Sequence, residues 1–346
     1  MKIRVAINGF GRIGRNAFKI AYERADIEIV AINDLTSTDT LAYLLKHDSN
    51  YGTYTHKVSS DEKHLIVDGQ KIPVTAEKDP TQLPWGDMKI DVVIESTGRF
   101  TKKEDAGMHL TAGARKVVIS APTKSEDIST LVIGANEDKL PEAGDIVSNA
   151  SCTTNSIAAV MSIMDAAFGV EKAMLTTVHS YTASQVLQDG PAKDMRESRA
   201  AAENIVPTTT GAAIAVTLTV PQLKDKFDGL SVRVPTPVVS LSDVTLLLTK
   251  KTTKEDINAV LKKAVREPYF QGVLDISEEP LVSSDYIGNS HSGIIDSLLT
   301  NVVDGNLAKV VVWYDNEWGY SNRLVETVAD VGALLHKHSD HNLQHK

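Results

Sequence analysis

The chain has 346 residues, the length of two ordinary domains, and 42% of them are apolar, so each domain can bury a core. With 36 Lys and Arg against 45 Asp and Glu the formal charge is −9. That argues against a dedicated nucleic-acid binder, while a local basic pocket for an anionic small molecule stays open. A single cysteine, Cys152, excludes an intrachain disulfide and a two-cysteine zinc site.

Residues 2–7 form a β-branched run that reads at once as structure, not as a secretion leader. Residues 13–23 have helical spacing, and 27–33 (IEIVAIN) are apolar again. Further runs follow at 92–96, 116–120 and 131–134, with a helical stretch at 103–113 between the first two. Strands alternating with helices predict parallel βαβ units and a doubly wound sheet.

The character changes at Cys152. Residues 153–168 carry a long helical pattern and 173–181 a strand, while 182–211 has no clean period and reads as a long ordered loop. Residues 230–250 mostly alternate, as do later runs up to 308–314, which predicts a mainly antiparallel sheet. A helix over 318–336 follows, then a frayed tail bearing His336, His338, His341 and His345. The longest uncharged stretch, 204–223, contains Pro207 and Pro221 and is a poor membrane span. A soluble protein of a reducing compartment is expected.

Gly9, Gly11 and Gly14 spell G-x-G-x-x-G between a strand and a helix, and Asp34 lies 20 residues past Gly14 at the end of the next strand. A glycine-rich turn of purely structural use is the plain alternative. The combination instead predicts a dinucleotide: glycines let the backbone approach a pyrophosphate at a helix start, and a carboxylate accepts from the ribose hydroxyls. The same carboxylate repels a 2′-phosphate and so favours NAD over NADP.

Cys152 precedes a long helix, whose N-terminus can draw a thiol pKa from about 8.5 down to roughly 3.5–7.5. A buried small hydrophobe is the alternative, although Asn149, Ser151, Thr153, Thr154 and Asn155 around it do not resemble a core. His179, which ends the run LTTVHSY, reads equally as a partner base or as a satisfied core histidine.

The blocks NGFGRIGR, INDLTS, ESTGRF, ISAPTK, SNASCTTNS, TVHSYT, RAAAENIVPTTTGAA, RVPTP and WYDNEWGYSNR occur in this order across nearly the whole chain. Together they closely resemble the phosphorylating glyceraldehyde-3-phosphate dehydrogenases. The resemblance implies an α/β Rossmann dinucleotide-binding domain, residues 1–150 completed by a C-terminal helix at 315–337. It also implies an α+β catalytic domain with a mainly antiparallel sheet, residues 151–314. Cys152 would be the nucleophile and His179 the general base, with NAD as cofactor. Gly9, Gly11, Arg12, Ile13, Gly14, Asp34, Lys78, Thr97, Ser120 and Asn316 would hold the cofactor. Ser151, Thr153, Thr210 and Gly211 would bind the attacking phosphate, and Thr182 and Arg233 the substrate phosphate. Without the resemblance those threonines read as sheet surface and Arg233 as a solvated strand residue.

The resemblance further implies the oxidation of glyceraldehyde 3-phosphate with inorganic phosphate, through a thioester, in a cytoplasmic homotetramer with no nucleic-acid or membrane partner. The 182–211 loop would lie between subunits. Three positions depart from the family's commoner pattern: Ser156 replaces a second cysteine, Gly190 a leucine and Glu197 an arginine. Glu197 would repel phosphate by about 1 kcal/mol, with Arg196 or Arg199 to compensate; Gly190 leaves room for a 2′-phosphate. The alternatives are erythrose-4-phosphate dehydrogenase, which has the same Cys–His chemistry, and an idle binding protein. A metal site in the His-rich tail is set aside, since an exposed tail cannot pre-organise ligands.

Overall fold

The computed structural model describes residues 2–343, with side chains to residue 336. The chain forms two compact units, one built from Met1–Leu131, Asp138–Ala150 and Ser321–Lys346, the other from Val132–Glu137 and Ser151–Tyr320.

In the first unit, β1 (Ile3–Asn8), α1 (Arg12–Tyr22), β2 (Ile27–Asn33) and α2 (Thr38–Lys46) lead into a short ribbon, β3 (His47–Asp48) and β4 (Gly52–Thr53). There follow β5 (Val58–Ser60), β6 (His64–Val67), β7 (Gln70–Thr75), β8 (Val92–Glu95), α3 (Lys103–Thr111), β9 (Lys116–Ile119), β10 (Ser129–Thr130) and β11 (Ile146–Ser148). The main sheet runs β10-β11-β9-β8-β1-β2-β7-β6-β5. Its members from β10 to β7 are parallel, and β6 and β5 close one edge antiparallel. β8 and β9 are almost wholly buried, which matches their unbroken apolar runs. β1 lies between β2 and β8, so the chain winds away from it in both directions, and a ligand crevice is expected outside the carboxyl ends of these strands.

The expected doubly wound sheet is present, with one local difference. The apolar run 131–134 is not a strand: the Val132 N–H donates to Asn136 Oδ1 at 2.8 Å and Gly134 turns at φ +85°.

The second unit begins with α4 (Cys152–Phe168), followed by β12 (Val170–Ser180), β13 (Val206–Thr209), α5 (Ala212–Thr219), β14 (Phe227–Val234), β15 (Ser240–Leu248) and α6 (Lys254–Ala264). β16 (Leu274–Ser277), β17 (Gly293–Asp296), β18 (Asn301–Val303) and β19 (Leu307–Tyr314) complete its sheet, ordered β13-β14-β12-β15-β19-β17-β16 with β18 beside β19. Two neighbouring pairs, β12–β14 and β16–β17, are parallel and the rest antiparallel, so the sheet is mixed but mainly antiparallel. α4 is buried almost all round, from Thr153 through Met164, and supplies the core against which this sheet packs.

The loop expected over 182–211 is shorter than that, because it is interrupted by β13, which pairs with β14. The uncharged stretch 204–223 folds as β13 and α5, and no described helix is long and apolar enough to cross a membrane. α7 (Trp318–Leu343) runs past the expected end at 336, so the backbone at His338 and His341 is helical and not frayed. His345 lies outside the described residues.

Candidate active site

At the carboxyl ends of β1, β2, β7 and β8 a cleft of about 440 Å3 opens, bordered by Gly9, Gly11, Asp34, Lys78 and Thr97. Three glycines make it possible, for three separate reasons. Gly9 sits at φ +92°, a conformation L side chains rarely adopt. A Cβ on Gly14 would stand 2.1 Å from the Gly9 carbonyl oxygen, so only glycine allows α1 to close on that turn. A Cβ on Gly11 would meet nothing within 4 Å, which leaves open space at the start of α1. No side chain caps that helix and its first turn holds no acid, so its positive end suits an anion.

Asp34 is fixed at the cleft by two N–H donors, Phe10 at 2.7 Å and Thr36 at 2.9 Å. These features fit a pyrophosphate at α1 and a ribose at Asp34, the two polar ends of an NAD adenosine half. Arg12 and Ile13 form the first turn of α1. The Arg12 guanidinium is tied to Asp48 at 2.7 Å and lies 5.7 Å from the Tyr51 ring centre. Burial works to raise the Asp48 pKa, but Arg12, the Asn50 N–H and Lys19 outweigh it and carry the carboxyl below its ordinary range. Ser120, just past β9, gives its N–H to the Glu95 carbonyl at 2.9 Å. Glu77, Ser96, Arg99 and Phe100 also border the cleft. Sequence reasoning passed over them, although each lies just past the end of β7 or β8.

In the second unit, Ser151 caps α4 by accepting the Thr154 N–H at 3.1 Å, which puts Cys152 at the first helical position. The Cys152 and Thr153 N–H groups then have no acceptor within the helix. Cys152 Sγ lies 3.4 Å from His179 Nε2, although 27 residues separate the two. His179 stands near the end of β12, and register pairs it directly with Arg233 of β14. Its Nδ1 is 2.7 Å from the Ser180 carbonyl and 2.5 Å from an Arg233 nitrogen. A single Nδ1 cannot both donate to the carbonyl and accept from the guanidinium. Donation to Ser180 would turn the Nε2 lone pair toward the thiol, the arrangement a base needs, whereas acceptance from Arg233 would leave the proton on Nε2.

Burial and then the Arg233 charge push the His179 pKa down to about 3, so the ring is unprotonated at neutral pH. The helix start does not produce the expected low thiol pKa. Burial pushes the Cys152 thiol up, and Arg233 and the Thr153 hydrogen bonds only partly offset it. The residue keeps part of its surface open, however, which leaves the sulfur reachable.

Tyr314 underlies the pair. Its hydroxyl bonds Thr153 Oγ1 at 2.8 Å and Thr177 Oγ1 at 2.9 Å, and its ring meets His179 edge-on at 6.1 Å. The Thr153 hydroxyl is therefore turned inward, and its N–H is the group left for an anion. Asn316 joins through Ser240, whose hydroxyl accepts the Ser180 N–H at 3.1 Å and donates to Asn316 Oδ1 at 3.0 Å. That fixes the Asn316 Nδ2 group as the donor end. Val239, just before Ser240, is a β-branched residue at φ 71°, and its carbonyl is gripped by the Ser180 hydroxyl at 2.6 Å.

Thr182 follows β12 and bonds Ser184 Oγ at 3.0 Å. Thr210 and Gly211 lead into α5, where Thr210 Oγ1 takes the Ala212 N–H at 3.1 Å. No bond joins these three to the Cys152–His179–Arg233 cluster among the described residues. Glu197 comes within 3.5 Å of the Thr208 hydroxyl, on the strand that leads to Thr210. Arg199 is engaged by Asp189 at 2.9 Å, while Arg196 borders the same depression as Thr208 and Thr210. Tyr314, Thr177 and Ser240 carry structure at the site that sequence reasoning missed; TVHSYT and WYDNEWGY held the signal without showing who touches whom. No group of His, Cys, Asp or Glu able to hold a metal occurs among the described residues.

Two family profiles match the chain: the "Glyceraldehyde 3-phosphate dehydrogenase, NAD binding domain" over residues 3–103 and its "C-terminal domain" over residues 151–316. Curated relatives extend the match to nearly full length. The glyceraldehyde-3-phosphate dehydrogenase of Geobacillus stearothermophilus is 54% identical over 96% of this chain and 99% of its own. That of Thermotoga maritima is 57% identical over 94% and 98%. Glyceraldehyde-3-phosphate dehydrogenase 1 of Bacillus subtilis (strain 168) is 53% identical over 95% and 98%. With a nucleotide cleft in one unit, a cysteine–histidine pair in the other and these matches, the chain belongs to the glyceraldehyde-3-phosphate dehydrogenase family and is an NAD-dependent enzyme.

Proposed function

We propose that the chain converts D-glyceraldehyde 3-phosphate and inorganic phosphate to 1,3-bisphosphoglycerate by way of a thioester on Cys152. The observation that carries this reading is the contact chain from Cys152 Sγ to His179 Nε2 (3.4 Å) and from His179 to Arg233 (2.5 Å). It joins a nucleophile, a base and a cation suited to a substrate phosphate.

Cys152 attacks the aldehyde carbon and its proton passes to His179 Nε2, giving a thiohemiacetal. The first N–H groups of α4 stabilise the oxyanion. His179 then holds the hydroxyl proton as the C–H bond breaks, a contribution of about 10²–10⁴-fold. Bound NAD supplies the hydride acceptor. A phosphate oxygen attacks the resulting thioester, the C–S bond breaks, and the sulfur leaves as thiolate and regains its proton. A substrate phosphate at Arg233 and Thr182 offsets the guanidinium charge beside His179, so substrate itself would restore basicity to the ring.

Ser151, the Thr153 N–H, Thr210 and Gly211 are assigned to the attacking phosphate, and Asn316 Nδ2 to the nicotinamide carboxamide. Gly9, Gly11, Arg12, Ile13, Gly14, Asp34, Lys78, Thr97 and Ser120 are assigned to the remainder of the cofactor. The cofactor domain is taken as residues 1–150 with the helix at 315–337, and the catalytic domain as 151–314. A cytoplasmic homotetramer without nucleic-acid or membrane partners accompanies this reading. Leu187 (78% exposed), Met195 (90%) and Ile205 (71%) support it, being large apolar side chains on the segment expected between subunits. Erythrose-4-phosphate dehydrogenase is not favoured, since the curated relatives above carry the glyceraldehyde-3-phosphate dehydrogenase name.

The test is NADH formation from glyceraldehyde 3-phosphate as phosphate is titrated from zero. Turnover that needs phosphate and vanishes in Cys152→Ser supports the reading. Turnover indifferent to phosphate, and faster with erythrose 4-phosphate, overturns it.

A further inference from the structure

Beneath the nucleotide cleft lies a buried carboxylate that the chemistry above does not use. Glu95 ends β8 and is 1% exposed; beside it His109, on α3, is fully buried. Four donors converge on the carboxylate. Asn8 Nδ2 (2.5 Å) and His109 Nε2 (3.0 Å) reach one oxygen, and the Thr97 N–H (2.8 Å) and Thr97 hydroxyl reach the other. The His109 tautomer follows from its far side. Trp85 Nε1, which can only donate, lies 3.0 Å from His109 Nδ1, so Nδ1 accepts and Nε2 carries the proton toward Glu95.

The Asn8 side chain also reaches a third strand. Asn8 Oδ1 accepts from Asn33 Nδ2 at 2.7 Å, and Asn33 Oδ1 accepts the Glu77 N–H at 2.9 Å. Asn8, Asn33, Glu77 and Thr97 all border the cleft. One carboxylate thus ties together the carboxyl ends of β8, β1 and β2 and the segment after β7.

We propose that Glu95 is a positioning residue for the adenosine half of NAD, holding Thr97 and the Asn8–Asn33 pair in their bound geometry before the cofactor arrives. This rests on the reading of the cleft as the NAD site. A close-packed apolar core would stabilise the unit equally well, so stability alone gives no reason to bury a charge here. A carboxylate, with acceptors on both oxygens, is the one side chain that meets donors on both sides. Glutamine keeps the volume but turns an NH2 group against either the Thr97 N–H or the His109 and Asn8 donors. His109 cannot yield by changing tautomer, because Trp85 occupies its other nitrogen.

The full-length Glu95→Gln variant tests this by calorimetric titration with NAD and with ADP-ribose, alongside turnover at saturating NAD. Loss of one hydrogen bond to a charged group corresponds to about a tenfold weaker Kd for both ligands. The turnover number at saturating NAD should stay within about twofold, because the cofactor's reactive end is untouched. A second pair guards against misfolding. His109→Gln can still donate to Glu95 and accept from Trp85 and should keep the affinity, whereas His109→Phe should lose it. Unchanged ADP-ribose affinity in Glu95→Gln, or equal affinity in the two His109 variants, overturns the proposal. If the unsubstituted protein bound no ADP-ribose, the cofactor reading would fail first and take this inference with it.

Discussion

The two units each bury a histidine, and the contrast between them separates holding a shape from doing chemistry. His109 in the nucleotide unit accepts from Trp85 on Nδ1 and donates to Glu95 from Nε2, with Asn8 Nδ2, itself a donor to Glu95, 3.3 Å from the same nitrogen. His179 in the second unit has two neighbours crowding Nδ1 and a thiol at 3.4 Å on Nε2, with a guanidinium charge beside it. A saturated buried network has one low-energy arrangement and stays in it. A histidine next to a guanidinium and a reactive sulfur has protonation states that a ligand can redistribute.

Removing the nucleophile should break the contrast most severely. Cys152→Ser is expected to lower the rate of NADH formation by at least about 10³-fold while NAD affinity, measured by titration, stays as it was. His179→Gln should cost about 10²–10⁴-fold in turnover. It should also change stability, with a definite sign. The folded-state pKa of about 3 lies below the ordinary value of 6.5, so between these limits the unfolded chain binds the extra proton. The stability contributed by unprotonated His179 is complete above about pH 6.5 and drains away as pH falls toward 3. Urea denaturation midpoints measured across that range should therefore fall less steeply in His179→Gln than in the parent.

Two glycine substitutions sharpen the comparison within the nucleotide unit. Gly14→Ala places a Cβ 2.1 Å from a backbone oxygen that has no flexible end to move, and should cost about 1–3 kcal/mol in thermal or chemical unfolding. Gly11→Ala meets nothing within 4 Å, so folding stability should hold while NAD binds several-fold more weakly. Equal stability loss in both would mean that the turn, and not the space for a pyrophosphate, is what these glycines serve. The smallest effect is expected at Glu197, beside Thr208. Glu197→Arg should lower the phosphate KM a few-fold, in line with a surface charge contribution of about 1 kcal/mol; an unchanged KM would remove Glu197 from the phosphate site.

Legibility in the sequence followed the range of the interaction. The glycine triplet, Asp34 and the placement of Cys152 at a helix start are local patterns, readable because turn geometry and helix period act over a few residues. α5 escaped notice because its exposed side carries Ile214 and Leu218, so apolar residues lie all round the helix and leave no amphipathic period to detect. β13 was hidden inside an apparent loop, since a strand of four residues exists only through its pairing with β14. The Cys152–His179 contact depends on β12 bringing a residue 27 positions away to the start of α4, and the Tyr314 bond to Thr153 spans 161. Neither distance can be inferred from spacing.

The sequence by itself determined the two-part organisation, the strand–glycine–helix turn of a dinucleotide site and, through its motif blocks, the family. Only the tertiary structure decided the electrostatics. A helix start favours a thiolate, yet at Cys152 burial acts in the opposite direction and prevails. It likewise decided that Arg233 faces His179 across a strand pair and that Glu95 gathers donors from three separate elements. Desolvation and charge–charge terms depend on which atoms surround a group in space, and for these residues most of those atoms come from distant parts of the chain.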